Sequence, residues 1–207
     1  MKLRWHGHSC FELTLDSDAV IVTDPFDSSV GYPLCEVRAD VVLCSHGHFD
    51  HNYVDSIQGD PKVFTDPGEY EACGARITGV ASCHDDKGGA KRGKNTIFVI
   101  EADGRKIVHL GDLGHLPDTD AQAEALTGAD VLLIPIGGFY TIDTPAAVAI
   151  IERFRPRAAI AMHFKNRYCH FPVSDESEFV ALTGAKRLPN AIDITADAPA
   201  GCGVMDI

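Results

Sequence analysis

Residues 41–51 read VVLCSHGHFDH. A short apolar run of strand length stops at a cluster of three histidines and an aspartate, His46, His48, Asp50 and His51. This juxtaposition constrains the fold more than any other feature. The run predicts a buried strand, and the imidazoles gather at its mouth.

The pattern recurs. "ITGVASC" runs into His84, "KIVHLG" into Asp112 and "AAIAM" into His163. Strand ends that carry polar side chains toward one rim are where open α/β sheets place their sites. Further runs rich in Val, Ile and Phe (CFELTL, AVIVT, KVFT, TIFVIEA, DVLLIPI) also read as strands. Asp103-Gly104 between two apolar runs predicts a hairpin. Helices are expected at 51–58, at 119–128 with Gly128 as its stop, at 144–154 with Thr144 as N-cap and Pro145 at the first position, and at 174–184 between Ser174 and Gly184. Several strands read as continuous apolar runs, which predicts two packed sheets with helices outside, an α/β arrangement. No linker divides residues 1–207, so one domain of two fused halves is expected.

With 207 residues, 45% of them hydrophobic, the chain can bury a sizeable core. A net charge of −12 argues against broad binding of nucleic acid or an anionic membrane. No stretch approaches the roughly 20 apolar residues of a membrane span, and the start lacks the apolar segment of a signal peptide. The seven cysteines lack CxxC spacing and read as reduced, buried small hydrophobes of a cytoplasmic protein. Cys169 beside His170 carries no mark of a nucleophile.

In a tight loop after a strand, His46 and His48 can turn to one ion while Asp50 and His51 turn to a neighbour about 3.5–4 Å away. Imidazole suits zinc and other first-row metals, and carboxylate is the ligand that bridges two of them. Gly47 is expected to let the loop fold tightly. "HGHFDH" resembles the HxHxDH motif of the metallo-β-lactamase superfamily, and His84, Asp112 and His163 follow in that family's order. Asp24 in "TDPF" resembles the buried supporting aspartate upstream of the motif. The resemblance spans nearly the whole chain.

It implies a four-layer αββα sandwich with a dinuclear site at one edge. His46, His48 and His84 would hold one divalent ion, and Asp50, His51 and His163 a second, with Asp112 bridging. Zinc is the first expectation, with manganese or iron as alternatives. The two cations would outweigh the carboxylates and a bridging hydroxide, leaving a slightly positive site suited to an anionic substrate. Water with its pKa lowered to about 7 would be the nucleophile, and Asp50 would orient it and accept its proton.

An aspartate at 112, with no cysteine nearby in that role, departs from the drug-hydrolysing pattern. His48 departs from the di-iron redox branch, where an acidic residue is usual. The short, acidic chain offers no basic arm of the RNA-processing kind. "GHSCFEL" and "HDDKGGAKRGKNTIFV" resemble the small branch that includes the ascorbate-6-phosphate lactonase. His8 is therefore expected to be catalytic or to touch substrate, with His6 a weaker candidate. Lys87, Lys91, Arg92 and Lys94, amid three glycines, read as a mobile lid for a substrate anion. Tyr140 after two glycines, and Lys165 two residues beyond His163, are further substrate-binding candidates. His115 and His170 read as non-ligands.

The expected activity is hydrolysis of a small anionic ester, most concretely a phosphorylated sugar lactone. A phosphodiesterase of small molecules is the alternative enzyme, and a metal-binding protein without turnover the alternative of another class. A small anionic substrate is the expected partner, and a symmetric homo-oligomer would be common for an enzyme of this size.

Overall fold

The computed structural model describes residues 1–207. The first sheet is built from β1 (Lys2–Gly7), β2 (Cys10–Thr14), β3 (Val20–Thr23), β4 (Val41–Leu43) and β5 (Lys62–Phe64). The second begins with β6 (Gly68–Ala72), β7 (Ala75–Cys83), β8 (Lys94–Ala102) and β9 (Arg105–His109), followed by α1 (Asp120–Leu126) and β10 (Val131–Pro135). It is completed through α2 (Thr144–Phe154), β11 (Ala158–Met162), α3 (Ser177–Thr183), β12 (Lys186–Leu188) and β14 (Gly201–Met205), while β13 (Ala191–Asp193) returns to the first sheet. The sheet orders are β13-β1-β2-β3-β4-β5 and β12-β14-β11-β10-β9-β8-β7-β6. Antiparallel pairing gives way to parallel pairing at β3–β4 in one sheet and β9–β10 in the other.

Strand alternation sorts the first sheet's side chains into two cores. Phe11, Leu13, Ile21, Val41 and Leu43 enter the main cluster, which is shared with the second sheet. Their neighbours Cys10, Val22, Val42 and Cys44 enter a second cluster with Phe26, Tyr32, Ile57 and Cys169. In β10 and β11 every residue is buried, as continuous apolar strands covered on both faces must be. Leu126, Ala147, Ile150 and Phe179 bring the three helices onto that same core.

The mixed α/β sandwich of two sheets is as expected, with one outer layer of different make. The helix expected at 51–58 is a single 3-10 turn, Val54–Ser56. Tyr53 N–H is taken by the Pro25 carbonyl and Ile57 is extended, so the segment covers the first sheet as loop. α2 is capped one residue earlier than expected: Asp143 accepts from Ala146 N–H at 3.0 Å, while the Thr144 hydroxyl donates to Ile136 O. α3 begins at Ser177 because Ser174 is engaged on both sides, by Gly137 O and by Lys165 N–H. The hairpin at Asp103-Gly104 is present, both residues having positive φ. No helix is long and apolar enough to cross a membrane.

Replacing Asp143 by Ala should lower stability by about 1 kcal/mol, or roughly 2–4 °C in Tm. Asp143→Asn should keep most of it. Equal melting of the two variants in thermal denaturation would contradict the cap.

Candidate metal centre

β3 and β4 run parallel and in register, so their C-terminal ends emerge side by side, at Asp24 and Ser45. Asp24 leaves β3 in the left-handed region, at φ 42°, which turns its carboxylate under the histidine loop. One oxygen accepts Ser45 N–H and the other accepts Ser45 Oγ–H, each at 2.7 Å. That second oxygen also accepts His51 Nδ1–H at 2.8 Å. With its proton given to Asp24, Ser45 Oγ can only accept from His46 Nδ1–H, at 3.0 Å. His84 Nδ1–H donates to the Tyr140 carbonyl at 3.0 Å.

These bonds fix the tautomers of His46, His51 and His84 when the rings are neutral: each presents a bare Nε2 to the centre. There the Asp112 carboxylate lies 3.2 Å from His51 Nε2, 3.0 Å from His84 Nε2, 3.3 Å from His163 Nε2 and 3.9 Å from His46 Nε2. Lone pairs facing lone pairs at such distances require a positive charge among them. His51 Nε2, His163 Nε2 and Asp112 Oδ1 are buried without a hydrogen-bond partner. The donor set fits divalent metal in two groups. His46, His48 and His84 converge on one side, and Asp50, His51 and His163 on the other, with His8 beside them. Asp112 turns Oδ1 to the second group and Oδ2 to members of both.

The electrostatics point the same way. Burial lowers the pKa of His51, yet Asp112, Asp24 and Asp50 together raise it well above the ordinary value. In the metal-free protein the imidazolium is thus the cation that the three carboxylates demand. Burial, reinforced by His51, drops His46 to about 3, so His46 is neutral and ready to ligate. Burial opposes ionisation of Asp112, but His163 and His51 hold it well below the usual carboxylate range.

Residues that sequence reading did not single out hold the frame. Asn95 Oδ1 accepts Asp112 N–H at 2.9 Å, and its amide donates to Leu110 O and Ser82 Oγ. His109 is fully buried, donating from Nε2 to Ser9 O and accepting Gly111 N–H at Nδ1. At Gly111, with φ 54°, a Cβ would lie 2.4 Å from Asn95 Oδ1, so only glycine lets the end of β9 approach this turn. Gly47 differs from expectation: a Cβ there would meet nothing within 4 Å. Its bareness leaves the mouth open and is not needed for a tight loop.

His8 also differs. It has no exposed surface and lies behind Asp50, with Nε2 3.3 Å from Asp50 Oδ2 and its ring 4.2 Å from that of His163. Burial and His163 lower it to about 4, so the ring is neutral, and it stands with Asp50, His51 and His163 in the second group. The 87–94 loop is not a free lid. Buried Asp85, next to His84, accepts N–H groups from Lys87, Gly89, Lys91 and Arg92 at 2.8–2.9 Å. Arg92 and Lys94 line a cleft of about 1040 Å³ that also includes His46 and His48. Lys87 and Lys91 are instead paired with Asp86. Tyr140 serves His84 through its carbonyl, and its ring stands 6.5 Å from that of His163. Lys165 is exposed and lines a separate cleft of about 590 Å³, so it is not brought to the metal ligands. His6 pairs with Glu12 at 2.8 Å.

Because the folded pKa of His51 is raised, its proton stabilises the metal-free protein fully below about pH 6.5. That contribution is lost as pH rises through the folded value. A divalent ion held by His51 would have to displace this proton, so zinc binding at pH 7 should release on the order of one proton. Titration calorimetry in buffers of different ionisation enthalpy checks this, and a heat independent of buffer would contradict it.

Residues 2–163 match the β-lactamase superfamily domain. A metal-dependent hydrolase of Thermoplasma acidophilum is 31% identical, over 89% of this chain and 91% of its own. A Thermotoga maritima crystal structure, assigned as a Zn-dependent hydrolase of the metallo-β-lactamase superfamily, is 36% identical with a TM-score of 0.82, covering 99% of this chain and 97% of that one. The metallo hydrolase Igni18 of Ignicoccus hospitalis shares the fold at a TM-score of 0.61 and 22% identity, over 87% and 89% of the two chains. The matched span ends on His163, the last of the clustered side chains, and the chain belongs to the metallo-β-lactamase superfamily.

Proposed function

We propose that the chain is a metal-dependent hydrolase of a small anionic ester, with a phosphorylated sugar lactone the most concrete member of that class. The observation that carries the reading is the meeting of two ligand groups at Asp112, beside an open, polar cleft that His46 and His48 line. The hydrolase names of the Thermoplasma and Thermotoga relatives support it.

His46, His48 and His84 would hold one ion and Asp50, His51 and His163 the other, with Asp112 shared. Divalent metal supplies Lewis acidity, lowering the pKa of water to about 7 and polarising a substrate oxygen. Asp24 orients His51 directly and His46 through Ser45. His8 holds Asp50 from behind. Burial works against ionisation of Asp50, but the charge of His51 and the hydrogen bond from His8 hold it well below the usual carboxylate range. A carboxylate of such low proton affinity suits alignment of the attacking water better than final uptake of its proton.

The cleft beside His46 and His48 offers the exposed hydroxyl of Thr65 and the exposed amide of Asn52, groups suited to a hydroxylated substrate. Arg92 and Lys94 on the same wall are the cations available to its phosphate or carboxylate.

Metal-loaded protein should hydrolyse a member of a panel of lactones, carboxylic esters and phosphodiesters. Asp50→Ala should lower kcat by roughly 10²–10⁴. Turnover of diesters alone would place the activity with phosphodiesterases, and no turnover across the panel would place the chain among non-catalytic metal binders. The paired change Arg92→Gln with Lys94→Gln should raise KM for an anionic substrate about tenfold or more. An unchanged KM would remove both cations from substrate recognition.

A further inference from the structure

Beside His8 and His163 the rim of the site is aromatic. Phe49 lies 6.5 Å from Phe171, Phe171 lies 6.3 Å from Tyr140, and Tyr140 lies 4.7 Å from Phe139, measured between ring centres. The row touches the metal centre through Phe171, 5.7 Å from the His8 ring, and through Tyr140, 6.5 Å from that of His163. None of the four lines the polar cleft, which meets the row only at Arg92.

Two features set this row apart from ordinary surface. Phe49 and Phe139 are 53% and 63% exposed, large apolar side chains left in water within one continuous patch. Phe139 also sits in the left-handed region at φ 56°, directly after Gly138 at φ 63°. A bulky side chain adopts that backbone only where its surroundings impose it. Here they do: Gly138 N–H bonds Ile142 O, and the Tyr140 carbonyl is tied to His84. The turn that orients a metal ligand therefore also presents Phe139 outward.

Arg92 completes the arrangement. Its backbone N–H is fixed by Asp85. Its guanidinium lies 5.5 Å from the Tyr140 ring centre and 6.0 Å from that of Phe139. Stacked in this way, a guanidinium keeps its N–H edge free for two-pronged binding of phosphate or carboxylate.

We propose that the aromatic row is a subsite for a ring carried by the substrate, whose anionic group is held by Arg92. The ring lies against Phe139, Tyr140, Phe171 and Phe49, and presents either an aryl face or the apolar C–H face of a sugar. The inference rests on the hydrolase reading only for which bond is cleaved.

The test is equilibrium binding of three phosphate monoesters to zinc-loaded protein by calorimetry: methyl phosphate, phenyl phosphate and glucose 6-phosphate. One ring ester or both should bind roughly tenfold tighter than methyl phosphate, and which of them does so identifies the ring. The double variant Phe49→Ser, Phe139→Ser, with its metal content verified, should bring ring esters down toward methyl phosphate. Arg92→Gln should weaken all three. Equal affinities in the unaltered protein, or a double variant that keeps the margin, would overturn the subsite. So would a double variant that turns a dimer into a monomer by light scattering while the margin stays, because the row would then cover a second copy. Since binding is read and not turnover, equal affinities in an unaltered protein that hydrolyses esters fail the subsite alone, and an intact margin without hydrolysis fails the reaction alone.

Discussion

The carboxylate of Asp24 is the constraint from which the rest of the centre follows. It is fully buried, and an ionised group so placed is tolerated only when every oxygen is engaged. Ser45 and His51 engage it, and His109 stands 3.8 Å away. Each of those bonds sets something further out. Ser45 passes the constraint to His46, and His51 is turned so that its far nitrogen meets Asp112. A single buried anion thus fixes the orientation of two imidazoles belonging to different ligand groups.

The same logic explains why the centre demands cations. Asp24, Asp50 and Asp112 crowd around His51, and only an imidazolium or metal can balance them. Backbone strain is present here as well: His8, Asp24 and His163 all have positive φ. Side chains in that region are costly and persist where surrounding contacts determine them. His163 N–H bonds the His8 carbonyl, so two of the three strained residues brace one another.

Much of this was legible in the sequence because ligands to one centre must sit at strand ends. His46, His84, Asp112 and His163 each follow an apolar run, and the structure brings all four together. What stayed hidden is tertiary. Nothing in "KNTIFV" marks Asn95 as the acceptor for Asp112 N–H, and His109 reads as part of an apolar strand. Asp85 looks like one of two solvated aspartates until its four backbone partners are seen. The burial of His8 was also hidden: a glycine-flanked histidine near the N-terminus suggests a pocket wall, whereas the turn at Gly7 and His8 folds it inward beside Asp50. The helix expected at 51–58 fails for a related reason. Its backbone donors are captured by Pro25 and by the local turn before a second helical turn can form. β6, β12 and β13 escaped notice because they are short or exposed edge segments without an apolar run.

The centre therefore joins two unlike surfaces, a polar cleft on the His46 and His48 side and an aromatic row on the His8 and His163 side, with Arg92 between them. The catalytic reading depends on metal being held in the space that Asp112 shares. Anomalous diffraction at the zinc edge from crystals grown with excess zinc tests this most directly. Two peaks should appear, one among His46, His48 and His84 and the other among Asp50, His51 and His163, with Asp112 reaching both. An absence of peaks in that space, or zinc bound only elsewhere on the protein, would contradict the account.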